Sequence, residues 1–271
     1  MLPRLTHTFY SSLALFSTVI STGSFADPIK LDLYTQEFPP LQVQVENKPE
    51  GYVVKFVEAL VEHASKSVEM EIGDVHFVPW KRAIRTTQES DNVLFFSLSR
   101  TPNREEQFQW IGAVSPYEVA VYRHIEGPSV VPASLTDLRN HSFAAQVGSS
   151  FEEVIKDEGF GNIIPVNYGK VAIKLLRAHR VDFAPLVTSS YYYRMEQYGF
   201  NPNEFIEVIR VDKLCKDLWL VTGNNTSPLV VDALRESFAQ LKNEGVLDQL
   251  IAHYQPDSEV MVKYRNAKSK Q

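Results

Sequence analysis

From residue 30 onward the chain alternates short apolar runs with amphipathic stretches. Lys30-Leu31-Asp32-Leu33-Tyr34 has the period of two of a half-buried strand, and Phe38-Pro39-Pro40 ends it in a rigid loop. After Pro49-Glu50-Gly51, apolar residues fall at Val53, Phe56, Val57, Leu60, Val61 and Ala64, the spacing of one helical face. Val75-His76-Phe77-Val78-Pro79 predicts a second strand, followed by a short helix from Trp80 to about Thr87. Asn92-Val93-Leu94-Phe95-Phe96 is a continuous apolar run, the kind buried on both faces of a parallel sheet. Strand, helix, strand, helix, strand is the order of an α/β layer fold.

A strand over Tyr117–Arg123 comes next, and Gly127-Pro128-Ser129 with Pro132 breaks the pattern. It restarts at His141-Ser142-Phe143-Ala144-Ala145-Gln146, where a Gly148-Ser149-Ser150 turn leads into a helix over 151–158. A helix over 169–179 and a strand over Val181–Leu186 follow. Leu218–Thr222 predicts a late strand. Asp232 is the expected cap of a last helix carrying Leu234, Phe238 and Leu241, with Gly245 closing it. The pattern describes two α/β units with no internal repeat.

Composition narrows the function classes. The chain has 271 residues, 27 Lys+Arg against 33 Asp+Glu, a net charge of −6, 44% hydrophobic residues and one cysteine. An acidic balance argues against a general nucleic-acid binder, which needs cations to replace phosphate counterions. A lone Cys215 excludes an internal disulfide and a cysteine-based metal cluster. Residues 1–26 differ from the rest: Arg4, no acid, an apolar centre over Leu13–Ile20, then Ser24 and Ala26 as small residues at a cleavage position. That is the order of a secretory signal peptide, with cleavage expected between Ala26 and Asp27 and a periplasmic mature protein.

The stretch richest in chemistry is Phe96-Ser97-Leu98-Ser99-Arg100-Thr101-Pro102-Asn103-Arg104-Glu105. A buried strand empties into a hydroxyl-rich loop, and ligands of open α/β sheets sit beyond strand carboxyl ends. A guanidinium there grips a carboxylate bidentately while hydroxyls fill the remaining lone pairs. The plain alternative is a helix cap by Thr101 with Arg104 and Glu105 as surface charges.

Taken together, the pieces resemble the family 3 extracellular solute-binding proteins, the periplasmic receptors of polar amino-acid ABC importers. Phe38-Pro39-Pro40 resembles the family's aromatic loop, and Gly51-Tyr52 its start of the first helix. Trp80 stands where the family often stacks an aromatic on the ligand. Ser97-Leu98-Ser99 and Thr101-Pro102-Asn103-Arg104 match its carboxylate clamp, and Gly148-Ser149-Ser150 resembles its anion-facing turn. The resemblance implies a two-lobed, type II periplasmic-binding-protein-like α/β fold, each lobe a mostly parallel sheet flanked by helices, with a two-strand hinge. The implied division is a signal peptide over 1–26, lobe 1 over 27–117 and 220–271, and a hinge strand with lobe 2 over 118–219. The strands at Tyr117–Tyr122 and Leu218–Thr222 are the expected crossings.

One position departs from the family. Val187 stands where the receptors usually carry the aspartate that holds the ligand's ammonium, and valine cannot pair with a charge. Thr188 follows it, and Glu37 is a substitute carboxylate from the first lobe; a carboxylated ligand without an α-amino group is the alternative. Trp80 and Phe38 are either ligand platforms or core aromatics. Arg82 is a second cleft cation or a solvated one, Trp110 is expected to pack near the hinge, and Tyr191-Tyr192-Tyr193 to pack a helix. The implied ligand contacts are Arg104, Ser97, Ser99, Trp80 and Phe38 from lobe 1. Ser149, Ser150 and Thr188 come from lobe 2, with Glu37 beside Phe38. No catalytic motif, cofactor loop or paired-histidine metal spacing occurs. The expected protein is a monomeric, non-enzymatic receptor without cofactor, which closes on a small carboxylate or amino acid and engages an ABC permease. A membrane sensor is the alternative partner, and a dehydratase-type enzyme on the same fold the alternative activity.

Overall fold

A computed structural model describes residues 27–254, so the expected signal peptide lies outside the described residues. The first strand, β1 (Ile29–Thr35), buries Leu31, Leu33 and Thr35 and turns Lys30 and Asp32 outward, as its alternation requires. Two short strands, β2 (Val43–Val45) and β3 (Lys48–Glu50), form a hairpin over Glu46 and Asn47, both at left-handed φ. No Asn-Gly or Asp-Gly pair marks that turn, so the sequence pattern does not show it. The helix α1 (Tyr52–Ala64) buries Val53, Phe56, Val57, Leu60, Val61 and Ala64.

Next come β4 (Met70–Phe77), α2 (Trp80–Glu89), β5 (Val93–Ser99) and β6 (Gln109–Tyr117). Every residue of β5 is buried, as expected of a strand covered on both faces. Then β7 (Val119–His124) opens a second body containing β8 (Phe143–Gln146), α3 (Ser150–Asp157), β9 (Ile163–Val166) and α4 (Gly169–Arg177). It continues through β10 (Ala184–Val187), α5 (Tyr191–Tyr198) and β11 (Phe205–Arg210). The described residues close with β12 (Lys216–Thr222), α6 (Pro228–Asn243) and α7 (Val246–His253). Ser227, not Asp232, caps α6: its hydroxyl accepts the Val230 N–H, and Asp232 lies inside the helix.

The first sheet runs β4-β1-β5-β12-β6, with β1 parallel to β4 and β5, and β12 antiparallel to β5 and β6. In the second body β7 lies antiparallel between β10 and β11, while β8 and β9 pair in parallel. The second sheet is therefore less parallel than the sequence suggests. The chain crosses out through β6–β7 and back through β11–β12, and two segments running opposite ways side by side pair antiparallel. The return falls between Arg210 and Lys216, so Leu218–Thr222 is an inner strand of the first sheet and not a crossing. A boundary at 219/220 would cut that strand.

Tyr52 shows how α1 is tied to the sheet. Its buried hydroxyl donates to Ser115 Oγ on β6 at 2.7 Å, and burial pushes the phenol up to about 12. Unfolded, a tyrosine ionises near 10, so between pH 10 and 12 only the folded chain holds this proton and stability falls as pH rises. The loss from this residue is roughly 2–3 kcal/mol. Tyr52→Phe is expected to flatten that part of an alkaline denaturation series.

Candidate functional site

Between the two bodies lies a cavity of about 90 Å³. It is small beside the roughly 300 Å³ at which drug-sized pockets begin, and as closed it suits a molecule of few heavy atoms. Gln36, Glu37 and Phe38 line it from the loop after β1, Trp80 from the start of α2, and Ser97 and Ser99 from β5. Gln146, Ser149, Ser150, Phe151, Gly169, Val187 and Arg194 line it from the second body.

The end of β5 is built to present its hydroxyls. Ser97 takes φ +69°, and Phe96 and Ser97 together face the single residue Leu220 of β12, a bulge. Bulges re-aim side chains at functional positions, and a left-handed non-glycine residue costs about 1–3 kcal/mol. Ser97 Oγ donates to Gln42 Oε1 at 2.8 Å, and Gln42 Nε2 donates to the Gln36 carbonyl at 3.3 Å. Gln36 in turn donates to the Asn167 carbonyl at 3.1 Å and accepts from Gln146, so this polar chain crosses the cleft. Ser97 and Gln42 are both fully buried. Ser97→Ala would leave the Gln42 oxygen without its donor and is expected to cost about 1–3 kcal/mol in chemical denaturation.

Trp80 and Phe38 both line the cavity, and both make contacts that cross the cleft. Trp80 packs edge-on against Phe95 and donates its Nε1–H to the Gly148 carbonyl at 3.1 Å. Phe38 packs against the apolar cores of both bodies. Ser149 lines the cavity but spends its hydroxyl capping α3, accepting the Glu152 N–H at 3.1 Å. Ser150 Oγ lies 3.5 Å from the Tyr117 hydroxyl, whose ionisation burial pushes up.

Two expected contacts, Arg104 and Thr188, are placed differently, and Arg82 takes the solvated of its two alternatives. Arg104 is 3% exposed and does not line the cavity. Its guanidinium donates to the Ser99 carbonyl at 3.1 Å, to Ser99 Oγ at 3.0 Å and to the Gly148 carbonyl at 2.9 Å. It also donates from Nε to Glu153 Oε1 at 3.0 Å, with a second, shorter bond from Nη2, and Thr101 Oγ1 donates to the other oxygen of Glu153 at 3.2 Å. The clamp motif thus grips a carboxylate, but that of α3 across the cleft. Thr188 is outside the cavity, its hydroxyl donating to Glu118 at 3.0 Å. Arg82 is exposed and does not line the cavity. Val187 does line it, as counted, and supplies no carboxylate; Glu37 does, while accepting the Gln44 N–H at 3.3 Å.

Sequence reasoning missed Gln36, Gln146 and Arg194. Arg194 follows the three tyrosines on α5, and its guanidinium carbon lies 4.9 Å over the Phe38 ring and 5.7 Å from the Tyr198 ring. Nothing local marks it, because Phe38 and the cavity reach it only through the fold. Away from the cleft, donor atoms of His124, Glu126 and His179 also lie within 4.8 Å of one another. His124 Nδ1 accepts the Glu126 N–H at 3.2 Å, which puts the ring proton on Nε2 and leaves no lone pair for a cation.

No family model matches this chain, and no curated protein matches it. Solved structures do. A histidine kinase sensor domain with similarity to periplasmic binding proteins aligns with a TM-score of 0.71 at 17% identity, over 84% of this chain and 96% of that one. An ancestral arginine-binding protein bound to arginine aligns at 0.68 and 17%, over 83% and 97%. A Streptococcus pneumoniae amino-acid ABC transporter substrate-binding protein bound to L-arginine aligns at 0.66 and 17%, over 88% and 95%. This chain therefore has the two-lobed fold of the periplasmic binding proteins.

Proposed function

We propose that this protein is an exported receptor that captures a small polar solute between its lobes and offers the closed form to a membrane partner. One observation carries the reading: a small cavity lined from both lobes by serines, glutamines, an acid, a base and four aromatics, closed by hydrogen bonds that cross the cleft. Such contacts exist only in the closed state, so a ligand that adds to them shifts the population toward closure. Glu37 and Arg194 are the acid and base of that lining, a pair suited to a zwitterion or a small carboxylate. Phe38, Trp80, Ser97, Ser99, Ser149 and Ser150 shape and polarise the rest. Export by a signal peptide over residues 1–26 places capture in the periplasm. An ABC permease is the partner by analogy with the substrate-binding proteins of this fold, and the sensor-domain likeness supports a signalling partner as the second reading. Capture without turnover is the activity this lining supports best.

A thermal-melt screen of the purified protein against amino acids, amines and simple carboxylates tests this. A true ligand at 100 times its dissociation constant adds about 2.7 kcal/mol and visibly raises the melting temperature. Trp80→Ala is expected to weaken that ligand at least tenfold, about 1.4 kcal/mol, since it removes both the aromatic wall and a cross-cleft donor. A ligand bound equally well by Trp80→Ala would move the site elsewhere.

A further inference from the structure

We infer that Arg194, not Arg104, is the residue that reads an anionic group of the ligand, so that the carboxylate anchor of this cavity belongs to the second lobe. The inference rests on the capture reading above and goes beyond it by assigning the ligand's charge and the residue that selects it. Arg104 has the motif spacing of a clamp, yet every nitrogen of its guanidinium already donates, to Glu153, Ser99 or Gly148. A ligand carboxylate would have to displace Glu153, an intramolecular competitor that hinge closure itself delivers.

Arg194 is in the opposite situation. It lines the cavity, and its Nε–H is buried with no hydrogen-bond partner among the described residues. One Nη2 contact to the Tyr198 hydroxyl, at 3.3 Å, leaves the remaining donors of the fork open. An unsatisfied buried donor on a charged group is costly, and an acceptor arriving with the ligand removes that cost. The surroundings hold the guanidinium in place: Phe38 and Tyr198 present ring faces to it, and a Cβ on Gly169 would stand 3.0 Å from Nη2. Because Phe38 comes from the first lobe and Arg194 from the second, the anchor is complete only when the cleft is closed.

The test compares matched small solutes by thermal melt and calorimetry: acetate against acetamide, and glycine and L-alanine against their amides. Wild type is expected to respond to the carboxylates and not to the amides. Arg194→Gln should weaken the carboxylates at least tenfold, with Arg194→Lys recovering part of the affinity. Arg104→Gln should lower the melting temperature of the free protein while keeping the preference for carboxylates. Loss of that preference in Arg104→Gln with its retention in Arg194→Gln would overturn the assignment. Wild type responding to amides or amines alone would overturn it too while leaving capture standing. Silence toward every solute, in this set and in the wider screen, would sink the capture reading and this one together.

Discussion

Arg104→Ala is expected to lower the melting temperature of the free protein by roughly 6–12 °C, the product of about 3 kcal/mol and 2–4 °C per kcal/mol at this size. The substitution strips the donors from Glu153, from the Gly148 carbonyl and from both oxygens of Ser99. Removing one partner of a buried ion pair costs about 3–5 kcal/mol, because the survivor stays desolvated. The lower end applies here: Glu153 is 27% exposed, and opening the cleft lets water reach it. Glu153→Gln keeps an acceptor for Arg104 and should cost less, about 1–2 kcal/mol. Small-angle scattering should show Arg104→Ala with a larger radius of gyration, as the lobes lose their strongest cross-link. A melting temperature unchanged by either substitution would mean that this ion pair does not hold the cleft in solution.

Gly51→Ala is expected to destabilise by about 3–4 kcal/mol, combining backbone strain with an overpacking clash. Gly51 sits at φ +115°, a conformation that a side chain opposes, and an added Cβ would lie 2.3 Å from the Leu41 carbonyl oxygen. The next nearest atoms are also backbone, Leu41 C at 2.7 Å and Gln42 Cα at 2.9 Å, so no side chain can swing aside. The N–H of Val53, in the first turn of α1, donates to the Leu41 carbonyl at 2.9 Å, which is why loop and helix approach so closely. Pushing them apart moves Phe38 and Gln42, so the response to ligand should fall together with the melting temperature. Retained stability in Gly51→Ala would show that the loop has room to move.

Much of the fold is legible in the chain because its causes are local. The period-two alternation of β1, the helical stripe of α1 and the wholly apolar β5 each record which face meets the core. The β2–β3 hairpin escapes because Glu46 and Asn47 carry no standard turn signature, and β6 because Trp110 reads as isolated packing. The pairing of β6 with β12 depends on partners about a hundred residues apart. At the site, Ser97 and Ser99 are visible at the end of a buried strand, while Phe38 and Trp80 are picked out only by the family resemblance; all four line the cavity.

By itself the sequence determined the alternation of strands and helices, the aromatic and hydroxyl positions that reach the cleft, and the valine at 187 that brings no carboxylate there. The tertiary structure alone decided which arginine faces the cavity. Arg104 and Arg194 carry the same side chain, and their roles follow from what closure places beside each. For Arg104 that is the carboxylate of Glu153, which satisfies it within the protein. For Arg194 it is the ring of Phe38, which holds the guanidinium in position and leaves its buried Nε–H unpaired among the described residues. A charge is used up by the nearest acceptor, and that distance is set by the packing of the lobes and not by spacing along the chain.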